Sequence, residues 1–254
     1  MGTNIGTLTV VGIGPGSPED MTPKARRAIE DARVIAGYTT YIKLIQPLLE
    51  GKEVIGTAMM QEIDRCRMAV EAALSGKDTA VVSSGDSGVY GMAGLVLELA
   101  SQRPPEERPE VAIIPGVSAV NAAAAILGAP LMHDFAVISL SDLLTPWDTI
   151  KKRVKAAAEG DFVLALYNPK SKKRTRNIEE VQKILLEYKS PDTPVGIVTG
   201  ASREGEKKIL STLGAFTKEE ITMFSLVIIG NSKTYVKDGS MITPRGYENK
   251  ENAL

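Results

Sequence analysis

The chain has 254 residues, 43% of them hydrophobic, enough to fold and to bury one large or two modest cores. Its 30 Lys and Arg balance 31 Asp and Glu for a net charge of −1, which excludes nucleic-acid binding driven by overall charge and makes any basic site local. One cysteine and one histidine exclude an internal disulfide and a protein-only zinc site. No basic-then-apolar leader opens the sequence and no apolar run approaches the roughly 20 residues of a bilayer span, so a soluble, cytoplasmic protein is the expectation.

Leu8 to Ile13 is a short apolar, β-rich run that ends in Gly12-Ile13-Gly14-Pro15-Gly16. Thr22 before Pro23 is a helix-start signature, and an Ala- and Arg-rich stretch follows to Ala32. Val34 to Ala36 reads as a second strand, Arg65 to Ser75 as a helix, and Thr79 to Ser83 as a strand. Met92 to Ala100 then reads as a helix and Val111 to Ile114 as another strand. Alternating strands and helices predict a largely parallel sheet. After Pro115-Gly116-Val117, Ser118 can cap a helical run from Ala119 to Leu127 that Gly128 and Pro130 stop.

Five further strand-like runs follow: Phe135 to Leu140, Phe162 to Tyr167, Val195 to Thr199, Lys208 to Leu213 and Leu226 to Ile229. Helices are expected over Ile150 to Glu159 and Ile178 to Tyr188. Only a polar, Gly-containing loop separates Thr199 from Lys208, which suits an antiparallel pair. The expected organisation is two α/β domains, 1–116 with the Gly-rich loops and 117–245 with a mixed sheet. Thr243 to Leu254 is polar and reads as loose, with 246–254 the tail beyond the second domain.

The most informative stretch is Gly85-Asp86-Ser87-Gly88-Val89-Tyr90-Gly91, a glycine-rich loop at a strand-to-helix switch, where α/β sheets expose backbone to ligands. Gly-Asp-Ser-Gly is also a protease nucleophile motif. Here the single histidine, His133, comes after the serine and the α/β pattern does not suit a β-barrel protease. The first glycine loop is not a dinucleotide fingerprint, because Ser17 stands where a third glycine is needed and Pro15 lacks an amide. No Gly-Lys-Ser/Thr follows it, which excludes an NTPase phosphate loop. Two readings stay open for this loop: a tight structural turn, or the lining of a cleft flanked by Glu19 and Asp20.

Tyr167-Asn168-Pro169 ends a hydrophobic strand and leads into Lys170, Lys172, Lys173, Arg174 and Arg176. Cations are disfavoured at a helix N-terminus, so the run is either a solvated loop or a seat for an anionic ligand such as a polycarboxylate or phosphate. The loops from Thr199 through Gly200 and Ala201 to Glu206, and from Ile229 to Ser232, also follow strands and can meet at a shared crevice. His133 is either structural or functional, and Trp147 serves packing.

Taken in order, Val11 to Glu19, Ser84 to Gly91, Pro115 to Ala119 and Tyr167-Asn168-Pro169 resemble the tetrapyrrole methylases, the S-adenosylmethionine-dependent enzymes of corrin and siroheme synthesis. The resemblance runs from about residue 7 to about 245. Gly88 to Gly94, Pro130 to Asp142 and the basic run after Tyr167 look like the branch that methylates C17 of precorrin-3B or its cobalt form, with ring contraction a possible coupled step.

The resemblance implies two α/β domains with the active-site cleft between them, usually in a homodimer acting on a small tetrapyrrole, with no nucleic-acid or membrane partner. It implies cofactor contacts from Gly85, Asp86, Val89, Ser118, Ala119, Asn168 and Gly200 or Ala201. It sets Gly14, Pro15 and Gly16 against the tetrapyrrole, and Lys172, Lys173, Arg174 and Arg176 against its carboxylates. Methyl transfer needs no protein nucleophile, so Asp86 is assigned to binding; Glu19, Asp20 and His133 are the candidates for moving protons. Many relatives carry Pro where this chain has Ser87. Two rivals stay open: a methyltransferase of this fold acting elsewhere on a tetrapyrrole or on RNA, and a non-catalytic S-adenosylmethionine-binding module.

Overall fold

The computed structural model describes residues 5–171 and 174–247. The chain divides into two compact units, Met1–Ala119 and Val120–Leu254.

In the first unit, β1 (Leu8–Gly12), β2 (Val34–Tyr38), β3 (Glu53–Thr57), β4 (Thr79–Ser83) and β5 (Val111–Ile114) form one parallel sheet in the order β3-β2-β4-β1-β5. The helices are α1 (Pro23–Asp31), α2 (Thr39–Leu44), α3 (Glu62–Leu74) and α4 (Ala93–Ala100). Side chains alternate across a strand, so Val11, Ile35 and Val82 pack with Ile29 of α1 and Ile42 of α2, while Val10, Ala36 and Val81 pack with Ala69 of α3 and Val96 of α4. Both faces are covered, which is why these strands read as continuous apolar runs. Thr22 Oγ1 accepts the Ala25 amide at 3.1 Å and Pro23 takes the first helical position, as the helix-start signature predicts.

Two elements of this unit go beyond the sequence reading. β3 is an edge strand with exposed Glu53, Val54 and Gly56, a weak strand signal, and α2 is a helix of only six residues that follows directly on β2. Cys66 of α3 is fully buried, and burial pushes its thiol up to about 11.

The second unit starts with α5 (Ala119–Leu127, begun by the last residue of the first unit) and the short β6 (Gly128–Ala129). There follow β7 (Phe135–Ser139), α6 (Trp147–Glu159), β8 (Val163–Tyr167), α7 (Asn177–Leu186), β9 (Pro194–Thr199), β10 (Lys207–Thr212), β11 (Ser225–Ile229), β12 (Tyr235–Lys237) and β13 (Ser240–Ile242). Its main sheet runs β10-β9-β11-β8-β7. The β7–β8 pair, joined through α6, is parallel; the other pairs are antiparallel, including β9–β10. Leu164, Leu166, Ile197 and Val227 pack with Val154 of α6, Val181 of α7 and Phe216. Trp147 opens α6, lies against this core and donates from Nε1 to Glu180 Oε2 at 2.8 Å.

A hairpin of β12 and β13 pairs through β13 with β6 in parallel. Thr243, expected to start the loose stretch, is instead fully buried: its amide donates to Ala129 O at 3.2 Å and its hydroxyl meets Thr234 Oγ1 at 2.8 Å. The polar composition hid a residue whose amide and hydroxyl are both spent inside. The expected tail lies, from residue 248 on, outside the described residues. Among the described residues, no helix is long and apolar enough to cross a membrane.

Asp161, at the left-handed φ of 54° after α6, accepts from Ser232 Oγ at 2.6 Å, Ser232 N at 3.0 Å and the buried Lys189 Nζ at 3.0 Å. Burial by itself raises this carboxyl, but the hydrogen bonds from Ser232 and Lys189 outweigh it and hold it below the ordinary value of 3.8. A depressed carboxylate contributes stability that is present above its unfolded value and lost as pH falls through its folded value. Asn tolerates the left-handed conformation, so Asp161→Asn removes the charge and leaves the backbone. The variant is expected to lose about 1 kcal/mol in urea unfolding at pH 7, solvent screening the half-exposed carboxylate, and to lie closer to the wild type as pH falls below 3.8.

Candidate functional site

β1 lies between β4 and β5, so the chains leaving these three strands run side by side, and each carries a glycine at the point of contact. A Cβ on Gly12 would stand 2.6 Å from Gly116 N and 2.7 Å from Gly85 O; one on Gly116 would strike Gly85 O and stand 2.6 Å from Gly12 O. Gly14 N donates to Gly85 O at 3.1 Å and Gly85 N to Gly14 O at 2.7 Å, an antiparallel bridge beyond the parallel ladder. Both residues have positive φ, 79° and 69°, which glycine adopts without strain. The Gly14-Pro15-Gly16 loop is thus built into the structure: Gly14 and Pro15 are buried, and the Gly14 amide is used within the bridge.

Asp86 completes this junction. Its Oδ1 accepts the Gly88 amide at 2.8 Å and its Oδ2 the Gly116 amide at 3.0 Å, so one carboxylate shapes its own loop and ties it to the chain after β5. Ser87 is fully buried, and its hydroxyl is 3.4 Å from Ile114 O. Gly91 lies so close to Ser87 that a Cβ there would stand 2.5 Å from the Ser87 carbonyl. The fold of the loop therefore pushes Gly88, Val89 and Tyr90 outward, with Val89 at 37% and Tyr90 at 53% exposure. Tyr90 adopts φ 55°. Ser118 and Ala119 are half-buried, and the Ala119 amide is 3.4 Å from where a Gly85 Cβ would stand, so these residues flank Gly85 within the first unit.

In the second unit, Tyr167 Oη accepts the Val120 amide at 3.0 Å and so caps α5 from the end of β8. Next to it Asn168, at φ 50°, donates from Nδ2 to Ser139 Oγ at 3.0 Å. Arg174 turns inward: at 11% side-chain exposure its Nη2 donates to Asn168 O at 2.8 Å, its Nη1 faces Asp142 Oδ1 at 3.5 Å, and its buried Nε has no hydrogen-bond partner. Arg176 is exposed just before α7, whose first turn carries Glu179 and Glu180 to offset the helix dipole. Lys172 and Lys173 lie outside the described residues. Gly200, at φ 64°, and half-buried Ala201 turn the chain after β9, with Gly200 N donating to Phe224 O at 3.2 Å.

Of the acid and base candidates, Asp20 packs its main chain against Gly14, where a Cβ would stand 2.8 Å from the Asp20 carbonyl oxygen. Glu19 is exposed in a short turn capped by Ser17 Oγ, which accepts the Glu19 amide at 3.2 Å, and Asp20 closes that turn. His133 is half exposed and its Nδ1 accepts the amide of Asp134 at 2.9 Å. No cluster of three or more His, Cys, Asp or Glu able to hold a metal ion occurs among the described residues. The sequence reading missed Tyr167 Oη, Ser139 and Asp142, since each acts on a partner distant in sequence and leaves no local pattern.

The sequence matches the family of Tetrapyrrole (Corrin/Porphyrin) Methylases over residues 7–217. It is 52% identical over 240 residues to a probable cobalt-factor III C(17)-methyltransferase of Salmonella typhimurium, covering 94% of this chain and 99% of that protein. It is also 52% identical over 247 residues to the cobalt-factor III methyltransferase of Priestia megaterium, where 96% of this chain matches 46% of the relative, about half its length. The fold superposes on the crystal structure of the methyltransferase CobJ with a TM-score of 0.89 at 38% identity, covering 94% of this chain and 100% of that one.

The three-glycine junction leaves no room for a methyl group at Gly116. Gly116→Ala is expected to lose about 3 kcal/mol in chemical unfolding, whereas Gly94→Ala, with open space around it in α4, is expected to be neutral or slightly stabilising.

Proposed function

The chain belongs to the tetrapyrrole (corrin/porphyrin) methylases, and from that membership we propose that it methylates C17 of the cobalt-containing ring of cobalt-factor III, using S-adenosylmethionine, in cobalamin biosynthesis. The observation that carries the reading is the 52% identity to a relative matched over 99% of its length whose name specifies that reaction. The names of both curated relatives favour the cobalt-containing substrate over metal-free precorrin-3B.

The residues of the first unit fit the cofactor. Gly88 presents bare main chain, Val89 an exposed apolar side chain, and the Asp86 carboxylate is fixed by two amides, so the loop is already in place before anything binds. Gly85, Asp86, Val89, Ser118 and Ala119 would hold the cofactor there; Asn168, Gly200 and Ala201 are the contacts proposed from the second unit. When bound, the sulfonium supplies an activated methyl group, which a ring carbon accepts as the thioether leaves.

The work left to the chain is placement and exclusion of water. Asp86 orders the loop. Arg174 positions Asn168 by holding its carbonyl, while Lys172, Lys173 and Arg176 are the cations proposed for the ring's carboxylates. Gly14, Pro15 and Gly16 are proposed to face the ring, and Glu19, Asp20 and His133 are the groups proposed to move protons. A homodimer is the proposed assembly.

Calorimetry with S-adenosylhomocysteine tests this reading. Wild type is expected to bind with a Kd of about 1–10 μM, and Asp86→Ala, which releases both amides, to bind at least roughly tenfold more weakly while remaining folded. A folded wild type that binds no S-adenosylhomocysteine overturns the proposal.

A further inference from the structure

Arg65 is 3% exposed, the most deeply buried arginine among the described residues. It stands on α3 in register with Ala69 and Ala73, on the face that packs against the sheet. Its Nη1 donates to Thr57 Oγ1 at 2.6 Å and its Nη2 lies 3.6 Å from Met92 Sδ. Its Nε is buried without a hydrogen-bond partner. The only carboxylate within ion-pair range among the described residues is Glu62, whose Oε1 is 4.0 Å from Nη2; that side chain is 40% exposed, and the same oxygen accepts the Met60 amide at 3.2 Å. A guanidinium cannot shed its charge, and burying one with so distant a counter-charge is costly.

The same side chain lines a cavity of about 160 Å³ within the first unit, together with Glu62, Tyr38, Tyr41, Ser83, Ser84 and Tyr90. Ser83 and Ser84 precede Gly85, and Tyr90 ends the outward part of the same loop, so the cavity opens against the segment already assigned to binding. Its volume is below the roughly 300 Å³ at which pockets begin to enclose a whole drug-sized ligand, so it suits one arm of a larger molecule.

We propose that this cavity receives a carboxylate and that Arg65 is its counter-charge. Two sources have that chemistry: a carboxylate arm on the rim of the tetrapyrrole, and the amino-acid carboxylate of the cofactor. The identity of the source rests on the methyltransferase reading; carboxylate binding does not.

The test uses purified full-length protein. Sodium propionate at about 50 mM is expected to raise the wild-type Tm by roughly 2 °C over equal sodium chloride, and this rise is expected to vanish in Arg65→Met. Arg65→Met, close in length and uncharged, is then titrated with S-adenosylhomocysteine, with an octacarboxylate porphyrin and with its octamethyl ester. A roughly tenfold loss confined to the octacarboxylate assigns the pocket to a ring arm, and one confined to S-adenosylhomocysteine assigns it to the cofactor.

No propionate effect on wild type, or a folded Arg65→Met with unchanged affinity for both ligands, overturns the proposal. Should Arg65→Met fail to fold, Arg65→Lys replaces it, since loss of the planar fork is still expected to weaken the affected ligand. A wild type that binds S-adenosylhomocysteine but shows no propionate effect removes the pocket and keeps the methyltransferase; the converse result removes the methyltransferase reading and keeps the pocket.

Discussion

Three backbones meet where the first sheet ends. Gly12, Gly85 and Gly116 leave adjacent strands; Gly12 and Gly116 have no room for a Cβ, the Gly85 carbonyl oxygen crowds both, and Gly85 itself takes the left-handed φ of 69°. Adjacent parallel strands separate as their chains turn away, unless something holds the loops together at the carboxyl edge. Here the holding is done by main chain on main chain, by the Gly14–Gly85 bridge and by one carboxylate shared between two amides. The exposure of the Gly85 loop follows from this: it faces outward because its inner side is used in these contacts.

That arrangement explains which parts of the sequence were legible. Glycine motifs placed after strands mark close backbone approach, and the buried strands show as unbroken apolar runs because both sheet faces are covered. The helix start at Thr22 and Pro23 is local chemistry and reads directly. The β9–β10 hairpin was also legible, because a short loop between two strands leaves little choice but an antiparallel pair. Elements set by distant partners were not. β3 has an exposed edge and no strong pattern, Tyr167 caps a helix 47 residues away, and Thr243 looks like tail because a buried threonine pair has no sequence signature. Arg65 did leave a trace, a cation in helical register with Ala69 and Ala73, but an arginine on an amphipathic helix is ordinarily read as surface.

The basic run after Tyr167 shows how a patch in sequence can divide in space. Arg174 faces inward, toward the Asn168 carbonyl and Asp142, whereas Arg176 faces solvent before a helix whose own glutamates satisfy its dipole. Counting positive charges leaves a solvated loop and a single anion seat both open; the geometry separates a residue that shapes the Asn168 turn from one that is exposed to solvent. Arg65 is a third case, a cation withdrawn from solvent against a cavity. The chemistry of each arginine is set by what surrounds its guanidinium more than by its place in a cluster.

The clasp between β6 and β13 bears on how the second unit is made. Gly128 and Ala129, near its start, pair with Met241 and Ile242, the last strand described, and Thr243 adds one more bond to Ala129. During synthesis the sheet of β7 to β11 can assemble as its strands emerge from the ribosome, but the backbone groups of Ala129 wait unpaired until β13 has been translated. Closing this unit is thus among the last events of its folding, and it depends on a contact of very long sequence separation. A stalled or prematurely terminated chain would hold most of its hydrophobic core and still present an open strand beside α5, a ready place for quality-control machinery or a second nascent chain to engage.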